Sequence, residues 1–317
     1  MKRRRSQQGL VLVTALLVVA IVAATAAYLG LGQYLWLRQM QNLSERSQAD
    51  SMRRAALSWI GILLMREMKD GNVDHLGETW AKDLPPLPYE GGLIKATVSD
   101  ATARLNLNNL VKAGKASAPD IAVFQKLLRL LDLNPALIEP VVDWIDPDDV
   151  PRAGGAEDAE YLTVERPYRA ANQSLTSIDE LRLIKGFTPE AVEKLRPYVV
   201  ALPEGTSVNL NTAPPIVLAA VFPELAPSQT EILVKARADK PFTTPNDAYK
   251  LIPSPRHPEI LSSVASAYFL VDLHIRYGRL QRSTLALLAR QGSANGARVL
   301  WHHPQYPKLP SNEQEVE

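Results

Sequence analysis

The first 37 residues constrain this chain more than any other stretch. Lys2, Arg3, Arg4 and Arg5 open it, Ser6-Gln7-Gln8-Gly9 follows, and residues 10–37 then contain no Asp, Glu, Lys, Arg or His. A helix over that run would be about 42 Å long at ~1.5 Å per residue, and about 20 apolar residues suffice to cross a bilayer core. A single membrane pass is expected, with the basic end in the cytoplasm and the bulk of the chain on the far side. The change from polar to apolar falls abruptly at Gly9-Leu10. A secretory signal would carry an A-x-A-like cleavage site after the apolar run; small residues stand there (Gly30, Gly32) without a clear site of that kind. An uncut signal anchor is the simpler alternative.

A length of 317 residues suggests two or so domains. A net charge of +1 argues against a bulk electrostatic hold on nucleic acid. With no Cys in the chain, disulfides and thiolate chemistry are excluded.

Beyond the apolar run, Met52, Ala55, Trp59, Ile60, Leu63, Leu64 and Met68 recur at helical spacing, with Arg53, Arg54, Arg66 and Glu67 between them. This predicts one long helix, membrane-buried in its first half and amphipathic in its second, ended by Gly71-Asn72. Its apolar stripe should cover a sheet. Residues 93–98 and 104–108 alternate apolar and polar and predict an antiparallel hairpin. Strands return only near the end: 268–275, a turn at Tyr277-Gly278-Arg279, then 282–290 and 297–302. The residues between read as mostly helical, with helix starts at Pro119, Pro135, Ser177, Thr188, Asn211 and Pro227. The fold class expected is α+β: a long N-terminal helix on an antiparallel sheet, split by a large helical insertion. The expected divisions are a leader over 1–9, a transmembrane half-helix over 10–37, a first sheet part over 38–110, an insertion over 111–263, a second sheet part over 264–303, and a disordered tail over 304–317.

The densest chemical signal is the run Asp143-Trp144-Ile145-Asp146-Pro147-Asp148-Asp149 with Gly154-Gly155-Ala156-Glu157-Asp158-Ala159-Glu160-Tyr161. It places seven carboxylates within eighteen positions. Such a loop is either solvated or neutralised, and hard oxygen donors on a flexible loop suit Ca²⁺. The spacing is not that of an EF-hand, because Val150 stands where a third ligand should be.

The leader resembles that of type IV pilins and type II secretion pseudopilins, in which a prepilin peptidase cuts after the Gly. Gly9 would be the cut and Leu10 the first mature residue, often methylated in those families. Thr14 stands at the fifth mature position, where most such chains carry Glu; the K-type minor pseudopilins of type II secretion characteristically lack it. The Asp-Trp-Ile-Asp-x-Asp and Gly-Ala-Glu-Asp-x-x-Tyr phrases, Pro167-Tyr168-Arg169 and Asn172 resemble the signature of that same K family. So do residues 104–110, 177–187 and 208–213.

That resemblance implies a pilin-like domain with a helical insertion and a Ca²⁺-binding loop. It carries over Asp146, Asp148, Glu157 and Asp158 as ligands, with Asp143, Asp149, Glu160 and Asn172 as further candidates; Asp143 is equally placed to cap or pair within its helix. The implied protein is a structural component of the inner membrane with a periplasmic domain. It would join I- and J-type minor pseudopilins and the other pseudopilins at the pseudopilus tip and support export of folded exoproteins. Two rivals share parts of these signals. A minor pilin of a type IV or competence pilus has the same leader. A membrane-anchored helix-hairpin-helix DNA-binding protein would share Gly186 and the Asn209-to-Ala213 run, but its hairpin glycines are incomplete and nucleic acid is not expected as a partner. No nucleophile elbow, zinc-protease motif or complete phosphate loop points to an enzyme.

Overall fold

The computed structural model describes residues 5–83, 85–222, 225, 229–252, 260–290 and 297–305. The leader residues 1–4, the expected helix start at Pro227 and residues 306–317 of the expected tail lie outside them.

A single helix, α1 (Arg5–Asp70), runs without interruption through Gly30 and Gly32 and stops before Gly71. Among the described residues it is the one helix long and apolar enough to cross a membrane, and its apolar window is not buried within the protein. Its second half turns Ala49, Met52, Ala56, Ile60 and Leu64 inward. These fall three or four apart, so they form one face. Trp59, expected in that stripe, is 50% exposed. The sheet covers only the face centred on 52, 56, 60 and 64, and Trp59 points to its flank.

In chain order, β1 (Leu87–Tyr89) and β2 (Gly92–Asp100) form a hairpin through Glu90-Gly91, both at positive φ as a type I′ turn requires. Then β3 (Leu105–Asn106) leads to a minor hairpin of β4 (Val111–Lys112) and β5 (Lys115–Ala116). There follow α2 (Ala118–Leu130), α3 (Ile138–Ile145), α4 (Asp158–Tyr161), α5 (Pro189–Leu195), β6 (Val199–Val200), β7 (Val208–Asn209), α6 (Pro215–Val221), α7 (Thr230–Asp239) and α8 (Pro245–Tyr249). The chain ends with β8 (Ser262–Ser263), β9 (Tyr268–Tyr277), β10 (Leu280–Ala289) and β11 (Arg298–Gln305). The main sheet has the order β1-β2-β9-β10-β11 and is antiparallel throughout.

The expected hairpin between 93–98 and 104–108 does not form. Only its first run enters the main sheet; Leu105 and Asn106 leave it and pair in parallel with Val199 and Val200. The reason lies in the asparagines, whose buried side chains serve the insertion's backbone. Asn106 donates to Glu204 O (2.8 Å). Asn108 donates to Leu175 O (2.9 Å) and Leu202 O (2.8 Å) and accepts from Leu175 N (2.8 Å). Asn109 bonds both backbone groups of Thr206. At the other end, Pro304 and Gln305, expected in a disordered tail, belong to β11, with Pro304 opposite Thr284.

Two cores result. One lies between α1 and the sheet, from Met52, Ile60 and Leu64 across to Phe269, Val271 and Leu273. The other lies within the helical part and includes Leu105, Phe124, Leu127, Trp144, Leu181 and Val217. Burial of one such large apolar side chain is worth about 1.5–3 kcal/mol, so each core stands on many independent contributions.

The two parts are bolted together at the far end of α1. Buried Arg290 pairs with buried Asp74 and donates to Ser266 O (2.8 Å). Ser266 N donates to Asp74 (2.6 Å), and the Ser266 and Thr212 hydroxyls both donate to Asp100. Burial pushes the Asp100 carboxyl up, against the pull of these hydroxyls. A second buried network thus joins residues far apart in sequence, and removal of any member leaves a buried group unpaired.

Candidate metal centre

The acidic loop begins where α3 stops. Asp143, on the last turn of α3, is fully buried. Its carboxylate accepts from Arg152 N (3.1 Å) and Ala156 N (2.8 Å), so it pins the loop back against the helix that carries it. Burial pushes its pKa up. Beside it Arg152 Nε donates to Glu139 (2.8 Å). These bonds of Asp143 run to the loop and not within its own helix.

Asp146 caps α3 with its N–H on Val142 O (2.9 Å). Its side chain is buried and Oδ1 has no partner. Glu157, across the loop, is 3% exposed, and neither of its oxygens has one. Asn172, held at φ +44°, donates to Asp149 Oδ1 (2.8 Å) and Asp148 O (3.1 Å), while its own Oδ1 is buried and unpartnered. Half of the eight buried unpartnered side-chain atoms among the described residues therefore lie in this one loop. Buried acceptors left bare are costly, and their concentration marks a place built for something positive.

The electrostatics agree. Burial first, and then Asp148 and Asp143, push Asp146 up to about 6. Burial, followed by Asp143, Asp146, Asp149 and Asp148, pushes Glu157 up to about 7. These carboxylates repel one another across the loop, and a divalent cation is the natural relief.

The other candidates have partners already. Asp158 accepts from Ala170 N (2.9 Å) and pairs with Arg169 (3.0 Å). Glu160 pairs with Lys185 (3.1 Å). Asp148 and Asp149 are exposed at the mouth, and Asp148 Oδ1 accepts from Val150 N (3.0 Å). Among the described residues, no three Asp, Glu, His or Cys side chains converge as a ready-made cage. The fit is that of a partial site: two carboxylates and an amide oxygen buried and open, two more carboxylates at the rim.

Sequence reasoning had given no role to the aromatic platform beneath the loop. Trp144 meets Tyr161 edge-on at 5.3 Å, and Tyr161 stacks on Tyr168 at 5.3 Å. Burial pushes the Tyr161 hydroxyl up to about 12. The i+1 placement of Trp144 after Asp143 was the available signal, because it puts the ring on the helix that carries the first carboxylate.

At the membrane end, Gly9 and Leu10 lie within α1. Thr14 donates its hydroxyl to Val11 O (2.9 Å), so the helix satisfies it internally.

Fold and loop together define a pilin-like protein: a membrane-length helix on an antiparallel sheet, carrying a helical insertion with an acidic loop. The family described as Type II secretion system (T2SS), protein K matches in two parts, over residues 103–204 and 208–272. Type II secretion system protein K of Pseudomonas aeruginosa is 33% identical over 311 residues, covering 94% of this chain and 92% of the relative. That of Pectobacterium carotovorum subsp. carotovorum is 31% identical, covering 90% and 94%. The chain belongs to the type II secretion system protein K family. A solved structure, the GspK-GspI-GspJ complex of the enterotoxigenic Escherichia coli type 2 secretion system, contains a chain of the same fold. Its TM-score is 0.70 at 26% identity, covering 84% of this chain and 99% of that one.

Proposed function

We propose that this chain is a minor pseudopilin that sits at the tip of the type II secretion pseudopilus, begins its assembly, and supports export of folded proteins across the outer membrane. The observation that carries this reading is the position of the insertion. It joins the sheet at the Asp74, Asp100 and Arg290 junction, where α1 ends, so its bulk lies at the end of the molecule away from the apolar half-helix. A subunit added above it would meet that bulk. The likeness to a chain solved with GspI and GspJ supports I- and J-type minor pseudopilins as partners. Thr14 in place of a carboxylate fits a subunit with no neighbour to pair with on that side.

In this reading prepilin peptidase cuts after Gly9, leaving Leu10 as the mature N-terminus, and α1 holds the chain in the inner membrane with the folded part in the periplasm. The loop takes a structural Ca²⁺. Asp146, Glu157 and Asn172 Oδ1 would hold it, with Asp148 and Asp149 completing the set from the rim. Bound there, the ion supplies positive charge that relieves the repulsion and couples metal binding to folding. Asp143 keeps the loop closed from behind, and the Trp144-Tyr161-Tyr168 platform excludes water beneath it. The reading assigns no catalysis.

The test is electron microscopy of assembled pseudopili with a label inserted in the helical part. One label per filament, at its end, is expected. Labels spaced along the filament would refute the tip position.

A further inference from the structure

Where α1 leaves its apolar run, the β9–β10 hairpin tip leans against it and forms an open, solvent-facing cavity of about 620 Å³, lined by Tyr34, Arg38, Asn42, Glu45, Tyr277 and Arg279 among others. Tyr28, Tyr34 and Trp36 lie in the last turns of the apolar run, the aromatic signature of a membrane–water boundary. Arg38 is the first charge after that run. Glu45 stands about 10 Å further along at ~1.5 Å per residue. A headgroup layer is roughly 5–8 Å deep, so the cavity spans that layer.

The three charges in the cavity are not paired with one another. No ion pair within 4.0 Å joins Glu45 to Arg38 or to Arg279. Arg38 is folded down on Tyr34, its Nε donating to the phenol oxygen (3.1 Å) and its guanidinium 5.2 Å from the ring centroid. Its terminal amines have no acceptor among the described residues. Arg279 is exposed and likewise without a partner among them. The hairpin tip is drawn in close: Gly278 has φ +54°, and a β-carbon there would lie 2.7 Å from Glu45 Oε1. Glu45 and Arg279 therefore share one mouth.

We infer that this cavity binds a phospholipid headgroup carrying a primary ammonium, a phosphoethanolamine. Two guanidinium groups receive the phosphate. Glu45 receives the ammonium, whose N–H donors a phosphocholine lacks and whose charge a phosphoglycerol lacks. The inference rests on α1 spanning the membrane, and the experiment reads that dependence separately. The full chain is placed in vesicles of equal parts phosphatidylethanolamine, phosphatidylcholine and phosphatidylglycerol. Flotation is scored, and the lipid retained after mild detergent extraction is counted by native mass spectrometry. The chain should float and retain phosphatidylethanolamine in several-fold excess over the other two. Arg279→Gln should lower retained lipid about tenfold, and Glu45→Gln should abolish the preference over phosphatidylcholine while lipid is still held. Retained lipid that mirrors the bulk mixture, or an unchanged Arg279→Gln, would overturn the site. Displacement of the lipid by inorganic phosphate alone would overturn the lipid assignment. A chain that fails to float would overturn the membrane reading first, and the site with it.

Discussion

A β-carbon on Gly155 would lie 1.8 Å from Asp143 Oδ2. The acidic loop closes so tightly on the α3 carboxylate that only glycine fits there. Gly155→Ala should therefore reopen the loop, because the clash is with a buried, hydrogen-bonded carboxylate rather than a flexible tip. The expected cost is about 2–4 kcal/mol, in the range of other buried clashes and broken networks. Thermal melting of the whole chain checks it, and a melt like that of the wild type would show that Asp143 moves freely.

The pH dependence of the metal-free chain follows from the raised carboxyls. Asp146 at about 6 and Glu157 at about 7 hold protons in the folded chain that the unfolded chain has released, from their ordinary values of 3.8 and 4.5 upward. Folded binds more protons than unfolded in that window, so stability in chelator should fall as pH rises from about 4 to 7. Calcium must displace those protons, so its affinity should rise across the same window. Melting curves in chelator at pH 5 and pH 8 test the first statement, and binding isotherms at the two pH values test the second.

Glu157→Gln separates repulsion from ligation. In chelator at pH 8 the variant should melt at or above the wild type, because there it removes a buried like charge. In excess Ca²⁺ it should melt below it. A loss of similar size in both conditions would mean that Glu157 serves packing only.

Asn108 ties β3's neighbourhood to the insertion through three hydrogen bonds to Leu175 and Leu202. Asn108→Ala should cost about 3 kcal/mol or more, since each buried partner left bare costs about 1–3 kcal/mol. Asp74→Ala, which strands Arg290, should cost about 3–5 kcal/mol. Chemical denaturation reads both.

Much of this was legible in the sequence. The charge-free run over 10–37 and the stripe through Met52, Ile60 and Leu64 gave α1, and the alternation over 268–275 gave β9. Ser177 marked a helix start that the structure shows as a short 3-10 helix, where Ser177 and Glu180 form both bonds of a capping box. What was not legible depended on distant partners. Residues 104–108 alternate as a strand would, yet Asn106 and Asn108 answer to backbone groups 67 to 98 residues away. Trp59 satisfies helical spacing, but which face the sheet covers is a property of the sheet. In the acidic loop the sequence showed seven carboxylates, of which the resemblance put Asp146, Asp148, Glu157 and Asp158 first. Burial and ion pairing sorted them: Asp146 and Glu157 left open, Asp158 and Glu160 engaged, and Asp143 turned to pinning.

Leader processing offers a check independent of the loop. Gly9→Val should block removal of the leader in cells that carry prepilin peptidase, leaving a chain longer by the nine leader residues. N-terminal sequencing or intact mass reads it, and a normally trimmed variant would count against the cut at Gly9.

The most direct measurement is calcium binding to the whole chain in detergent, by calorimetry, with melting curves in Ca²⁺ and in chelator. The account predicts a saturable isotherm, lost in the Asp146→Ala, Glu157→Ala double variant. It also predicts a melting temperature about 5 °C or more higher at a hundredfold excess of Ca²⁺ over Kd. No heat and no shift would contradict it, and would leave the acidic loop a solvated stretch.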